Sequence, residues 1–283
     1  MNYSKNIQEI AQVLFDQKKI DVFIGYQISP DGKNQIPIVT TDPAEVGKLV
    51  FTEKSIFNLT NYLKFEHAKR KRVGLVVKGC DSRALNLLLT ENQVKRENLF
   101  VIGVCCTGVV DQAGKKIGNC EECVCPDPVL HDELLGTKLG LQAYKPSDEV
   151  RKLSEKSVVE RGDFFQKVFE ACIRCNACRC SCPLCYCQKC SIEENNTYTC
   201  EPVNTLPNAS AALLTWSLHL AGRCVDCRNC VKACPRGLPL HLLHKKIEGV
   251  IHDNFASHLA GVEEKDPGAL VKYDLKDPDK FIL

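Results

Sequence analysis

The sequence predicts two domains, an α/β domain over residues 1–145 and a helical, cysteine-rich domain over residues 146–251. Three observations carry that division. Short apolar, β-branched runs alternate with helix-spaced segments through the first half. The composition turns charged at KPSDEVRKLSEKSVVERG, from about residue 146. The pattern C-x2-C-x2-C-x3-C-P then occurs twice, with one helix-like segment between the copies and another after them.

In chain order, Ile7, Ile10, Ala11, Leu14 and Phe15 recur at helical spacing, IDVFIGYQI reads as a strand and SIFNLTNYL as a further helix. RVGLVVKG has the character of a buried strand, SRALNLLLTENQ of a helix and LFVIGV of a second buried strand. Together they make a parallel, right-handed β-α-β unit, with Asp81 read as the N-cap of its helix. The charged stretch from 146 is a linker or exposed helix leading into DFFQKVFEA. ASAALLTWSLHLA is a buried helix, with Asn208 as its N-cap and Gly222 just past its end. Pro239 then suits a first helical position, and Leu240, Leu243, Ile247, Val250 and Ile251 form one apolar face. His241 and His244 on that helix have no further ligands at metal-site spacing and are read as surface or packing residues. Residues 252–283 are read as an extended C-terminal arm.

A chain of 283 residues with 44% hydrophobic and 25% charged residues has room for a real core. Its net charge of +2 gives no electrostatic ground for nucleic acid or an anionic membrane as a partner. No stretch approaches 18 uninterrupted apolar residues, and the start lacks the apolar segment of a secretory signal. The expectation is a cytoplasmic protein with no membrane span. Thiols stay reduced there, so 19 cysteines, an odd number, point to metal rather than to a disulfide framework.

Cys172, Cys175, Cys178 and Cys182-Pro183 form the first copy of the motif; Cys224, Cys227, Cys230 and Cys234-Pro235 form the second. Thiols at every third residue of a tight turn converge on three corners of one cubane, and the fourth Cys, set off by an extra residue and Pro, reaches the other cluster. Cys172, Cys175, Cys178 and Cys234 are therefore assigned to one 4Fe-4S cluster, and Cys224, Cys227, Cys230 and Cys182 to another. C-x2-C pairs also build tetrahedral zinc sites, but a third thiol in the same rhythm has no use there. A zinc-stabilised scaffold is thus a rival that metal analysis decides. The helical segment between the motifs resembles the α-helical ferredoxin domain of heterodisulfide reductase C subunits and of succinate dehydrogenase iron-sulfur subunits, over about residues 163–251. The expected fold class is an α/β N-terminal domain plus an α-helical two-cluster ferredoxin domain.

Cys185, Cys187, Cys190 and Cys200 are the right number of thiols for a third cluster, against the alternative of buried small hydrophobes. Cys180 falls between ligands and is read as a spectator. In the first domain Cys80 ends the strand RVGLVVKGC, Cys105 and Cys106 end LFVIGVCC, and NCEECVCP supplies Cys120, Cys123 and Cys125. Two parallel strands ending side by side bring such thiols to one sheet edge, where open α/β folds hold ligands.

VGLVVKGCDSRALNLL, LFVIGVCCTGVVD and NCEEC together resemble the beta-subunit family of deazaflavin-coenzyme-reducing hydrogenases and formate dehydrogenases, over about residues 70–135. Members carry a strand-Pro-Cys-turn-helix, a strand ending Cys-Thr-Gly and a later C-x2-C that bind one 4Fe-4S cluster. The resemblance implicates Cys80, Cys106, Cys120 and Cys123, with Cys105 and Cys125 as alternatives. Gly79 stands where the family commonly has Pro, and the family's long flavin- and deazaflavin-binding region is cut short. No G-x-G-x-x-G or Walker loop adds to the case for a flavin such as FAD.

Arg174, Arg179, Arg223, Arg228, Arg236, Lys189 and Lys232 intersperse the motifs, and cations beside a cluster favour its reduced form. No triad, nucleophile elbow or paired-carboxylate site occurs. The expected function is electron transfer through three or four 4Fe-4S clusters between partner subunits of a redox complex of hydrogenase, formate dehydrogenase or heterodisulfide-reductase-like flavoprotein type. The rival is a flavin-containing subunit that itself reduces a deazaflavin or nicotinamide coenzyme.

Overall fold

The computed structural model describes residues 1–65, 68, 71–193, 203–255, 258–263, 265, 268–271 and 275. The chain divides into two compact units, Met1–Lys145 with Gly261–Asp266 and Pro146–Ala260 with Pro267–Leu283.

In the first unit, helix α1 (Ser4–Asp16) buries Ile7, Ala11 and Leu14, one face at helical spacing. Strands β1 (Val22–Ile28) and β2 (Gln35–Thr40) pair antiparallel, and β1, β3 (Val73–Val77), β4 (Leu99–Val104) and β5 (Glu133–Leu135) follow in parallel. The sheet order is β2-β1-β3-β4-β5. All five β3 residues are buried, as a parallel strand covered on both faces requires. Phe23, Ile24, Tyr26, Leu75, Leu85 and Ile102 lie in the core, each at most 1% exposed.

Sequence pattern did not mark β2 or β5. Pro37 sits within β2 opposite Tyr26, which is tolerated because β2 is an edge strand and the missing N–H faces outward. SIFNLTNYL forms a 3-10 helix at Leu59–Lys64 rather than an α-helix. The Asn58 side chain accepts locally from the Thr60 N–H at 3.1 Å, and the Thr60 hydroxyl donates across the fold to the Asp81 carbonyl at 2.9 Å. Helix α2 (Gly79–Thr90) begins sooner than the sequence indicates. β3 ends at Val77, so Cys80 lies in the first helical turn rather than on the strand. Asp81 is not the N-cap; its carboxylate reaches back to accept from the Lys78 N–H at 2.9 Å. A four-residue helix, α3 (Gly118–Glu121), carries Cys120.

The second unit is helical among the described residues. α4 (Asp148–Ser154) and α5 (Val158–Glu170) occupy the charged stretch, α5 starting on a capping box between Ser157 and Glu160. The short helices α6 (Ala177–Ser181) and α8 (Asn229–Lys232) sit inside the two cysteine motifs, and α7 (Leu206–His219) lies between them. α7 is capped by Thr205 and not Asn208, with Pro207 in its first turn; Asn208 donates instead to the Val203 carbonyl. α9 (His241–Asn254) follows the second motif and extends past residue 251. Its buried residues are His241, Leu242, His244, Lys245 and Ile251, whereas Val250 is exposed. Of the expected aliphatic face Leu240 and Ile251 are buried and Leu243 and Ile247 half-buried, and polar residues join it: Lys245 bridges Asp226 at 3.4 Å and Glu248 at 2.5 Å. Most of the C-terminal arm lies outside the described residues.

Candidate metal centres

The two motifs of the second unit share one backbone conformation. Arg174 and Asn176 have φ of 53° and 58°, and the residues at the same motif positions, Asp226 and Arg228, have φ of 49° and 53°. Left-handed residues other than Gly are uncommon, so their recurrence in pairs marks one tight curl built twice. Each curl runs into a short helix and then a Cys-Pro step, which is extended at Cys182. The Asn229 side-chain amide donates to the Ser181 carbonyl at 3.2 Å and ties the second motif to the first.

Cys172, Cys175 and Cys178 line a cavity together with Cys234 of the other motif, closed by Ala212, Leu213, Leu238 and Leu240. Its volume is about 440 Å³ including the opening to solvent. Cys224, Cys227 and Cys230 line a second, of about 410 Å³, together with Cys182, Trp216, His241 and His244. Backbone N–H groups turn toward the sulfurs, Arg174 N–H to Cys172 at 3.4 Å and Leu238 N–H to Cys234 at 3.5 Å.

Burial pushes the Cys178 thiol up to about 12, with Cys172, Cys175 and Cys234 adding repulsion. Burial also holds Cys224 and Cys230 well above the ordinary thiol range, and Cys230 feels Cys227, Cys224, Cys182 and Cys178. Four crowded thiolates are therefore costly on their own, and a polycationic iron core would offset that cost. The donor set suits a thiolate-held cluster on these grounds. Among the described residues no three His, Cys, Asp or Glu side chains are gathered to hold a metal ion.

Arg174 and Arg236 line the first cavity and Arg228 the second. Lys232 is bonded to the Cys227 carbonyl at 2.9 Å, and Arg223 reaches the Tyr186 hydroxyl at 3.2 Å. Arg179 forms an ion pair with Glu193 and lies in the field of Cys185 and Cys190. Cys187 and Cys180 are exposed, and Cys200 lies outside the described residues.

In the first unit β3 and β4 end together, Val77 opposite Gly103. Cys80 then opens α2, while the N–H groups of Cys105 and Cys106 are held by the carbonyls of Leu135 and Pro126. Cys120 accepts from the Val109 N–H at 3.4 Å and lies in the field of both Cys106 and Cys123. Burial raises the Cys106 thiol to about 11. Cys105 and Cys125 are more deeply buried, and both are engaged by Asp127. Gly79 has a clear structural reason: a Cβ there would lie 1.9 Å from the Cys125 carbonyl oxygen, so neither Ala nor the family's Pro fits this backbone.

Sequence spacing gave no hint of Lys78. Its ammonium is fully enclosed, 2.6 Å from the Tyr26 hydroxyl, 2.8 Å from the Phe57 carbonyl and 2.8 Å from the Asp81 carboxylate. Burial alone would lower its pKa, but Asp81, Tyr26 and Cys80 outweigh that and keep it charged. It places a fixed positive charge beside Cys80 and Cys106. His241 and His244 were also missed as site residues, because an i, i+3 pair says nothing about which cavity it lines.

No protein-family model matches the chain. A curated relative, the F420-dependent formate dehydrogenase subunit beta of Methanocaldococcus jannaschii, is 23% identical and covers 92% of each chain. The chain is a homologue of that β subunit. The likeness to the β-subunit family thus reaches well beyond residues 70–135 and into the cysteine-rich half. The alignment spans 356 positions against the chain's 283 residues, so the relative carries stretches that this homologue lacks. Among the described residues no helix is long and apolar enough to cross a membrane.

Proposed function

We propose that the chain is an iron-sulfur electron-transfer subunit of a formate dehydrogenase type complex. The observation that carries this reading is the pair of four-thiol cavities, each taking three cysteines from one motif and the fourth from the other. Cys178 of one set lies in the field of Cys230 of the other, which supports two centres near enough to exchange electrons. Cys80, Cys106, Cys120 and Cys123 would hold a further cluster in the α/β domain, and Cys185, Cys187, Cys190 and Cys200 a fourth. The helical unit is read as the α-helical ferredoxin domain that the motif spacing resembles.

Bound 4Fe-4S clusters supply one-electron valence change. The chain's own residues hold the sulfurs, limit water and set the local charge. Backbone N–H groups and the cations Arg174, Arg236, Arg228 and Lys78 all favour the more negative, reduced state. Partner subunits would carry the bond-making chemistry, in a cytoplasmic complex.

Anaerobic isolation of the full chain should yield roughly 12–16 iron atoms with matching sulfide, four per cluster, and a broad absorbance near ~400 nm that bleaches on reduction. Zinc without that absorbance sinks the reading. A second reading has support in the relative's name, F420-dependent. A two-electron deazaflavin needs a partner that splits electron pairs, so a flavin bound to this chain would make it catalytic. Flavin fluorescence released on denaturation decides between the two.

A further inference from the structure

The second cavity contains polar groups for which thiol ligation has no use. Trp216 is 4% exposed and its Nε1 is buried without a hydrogen-bond partner. His244 is also 4% exposed, and neither of its ring nitrogens has a partner. The two rings meet edge to face, with centroids 4.5 Å apart and planes at 89°, so each fixes the other's orientation. Both line the cavity of Cys182, Cys224, Cys227 and Cys230. Buried N–H groups almost always have an acceptor, and two in one cavity call for an occupant that supplies one.

The companion cavity is built differently at the matching places. α7 gives it Ala212 and Leu213 where it gives the second cavity Trp216, and the segment after the second motif gives it Leu238 and Leu240 in place of His241 and His244. Neighbouring His241 is engaged on one side only, its Nε2 lying 2.7 Å from Glu149 while its Nδ1 is also buried without a partner. Sulfur is the acceptor chemistry that this cavity gathers.

We propose that Trp216 Nε1–H and a ring N–H of His244 donate to sulfur of the cluster held by Cys182, Cys224, Cys227 and Cys230, and that they raise the potential of that cluster alone. The inference rests on the cluster reading above. An N–H···S bond strengthens as negative charge accumulates on sulfur, so it favours the reduced state. The two centres of the helical unit thereby differ in a way their matched thiol sets do not. Trp216 and His244 are positioning residues; neither ligates iron.

The test uses the full chain with iron and sulfide counted in every sample. Trp216→Phe keeps the ring and removes the N–H, His244→Leu removes both nitrogens, and His244→Gln restores a donor. Redox titration followed by electron paramagnetic resonance should move one signal, the one altered by Cys182→Ser, to more negative potential in the first two variants and back toward the parent in the third. Electron-nuclear double resonance of the reduced parent should show deuterium-exchangeable couplings on that signal, and these should weaken in Trp216→Phe and His244→Leu. A fully loaded parent whose signal keeps its potential and its exchangeable couplings in both variants overturns this inference while leaving the clusters in place. A parent with no iron overturns the cluster reading and this inference with it. If His244→Leu fails to load, Trp216→Phe decides alone.

Discussion

Lys78 and Asp81 form an ion pair with side chains 3% and 0% exposed, at a point where β3 turns into α2. Such a pair costs desolvation and survives only when every polar atom is partnered, which Tyr26 and the Phe57 carbonyl accomplish for the ammonium. One residue further on, Gly79 lets the loop of Cys123 and Cys125 close onto the start of α2. Gly79→Ala should force a backbone shift, because the obstacle is the Cys125 carbonyl and not a side chain that can swing away. The expected loss is about 1–3 kcal/mol in urea unfolding, as for other overpacked sites. It should come with selective loss of the α/β-domain cluster. Unchanged iron content and midpoint would show that the loop tolerates displacement.

Among the elements, the repeated curl is the unit that matters. Arg174 and Asn176 in one copy and Asp226 and Arg228 in the other take the same left-handed steps, so the chain builds two three-thiol turns by one local rule. What a curl cannot do is supply its own fourth thiol, since the Cys-Pro step leads away from it, in extended form at Cys182. Cys182→Ser should therefore disturb the signal of the Cys224, Cys227 and Cys230 centre more than that of its sequence neighbours. Spectra showing the reverse would refute the pairing. Element by element, the buried strands β3 and β4 and the helix between them are plain in the sequence because parallel strands are continuous apolar runs. β2 was hidden by Pro37, and β5 by being three residues long. The buried polar residues of α9 were hidden because Lys245 pairs with Asp226 outside the helix and the two histidines line a cavity built from other segments.

At the scale of the whole molecule, the two units differ in what holds them. The first has a contiguous core running from Ile7 through Val104. The second spreads its buried residues over α5, α7, α9 and the loops that line the two cavities, and most of its described cysteines are half-buried or exposed. Stripping iron with a chelator should therefore loosen the helical unit and spare the sheet. Limited proteolysis of the stripped chain should cut within residues 172–234 first while residues 1–135 persist. Equal cleavage throughout, or none, would show that the metal does not hold the helical unit together.

The α/β alternation, the change of character at residue 146, the doubled cysteine motif and the assignment of Cys182 and Cys234 across it are all legible along the chain, because periodicity and ligand spacing are local properties. The fold alone shows that Lys78 lies charged beside Cys80 and Cys106, and that Trp216 and His244, their ring nitrogens buried without partners, line one thiol-lined cavity. The reason is physical. What a buried polar group faces is set by residues brought to it across the fold, and their distance along the chain carries no trace of it.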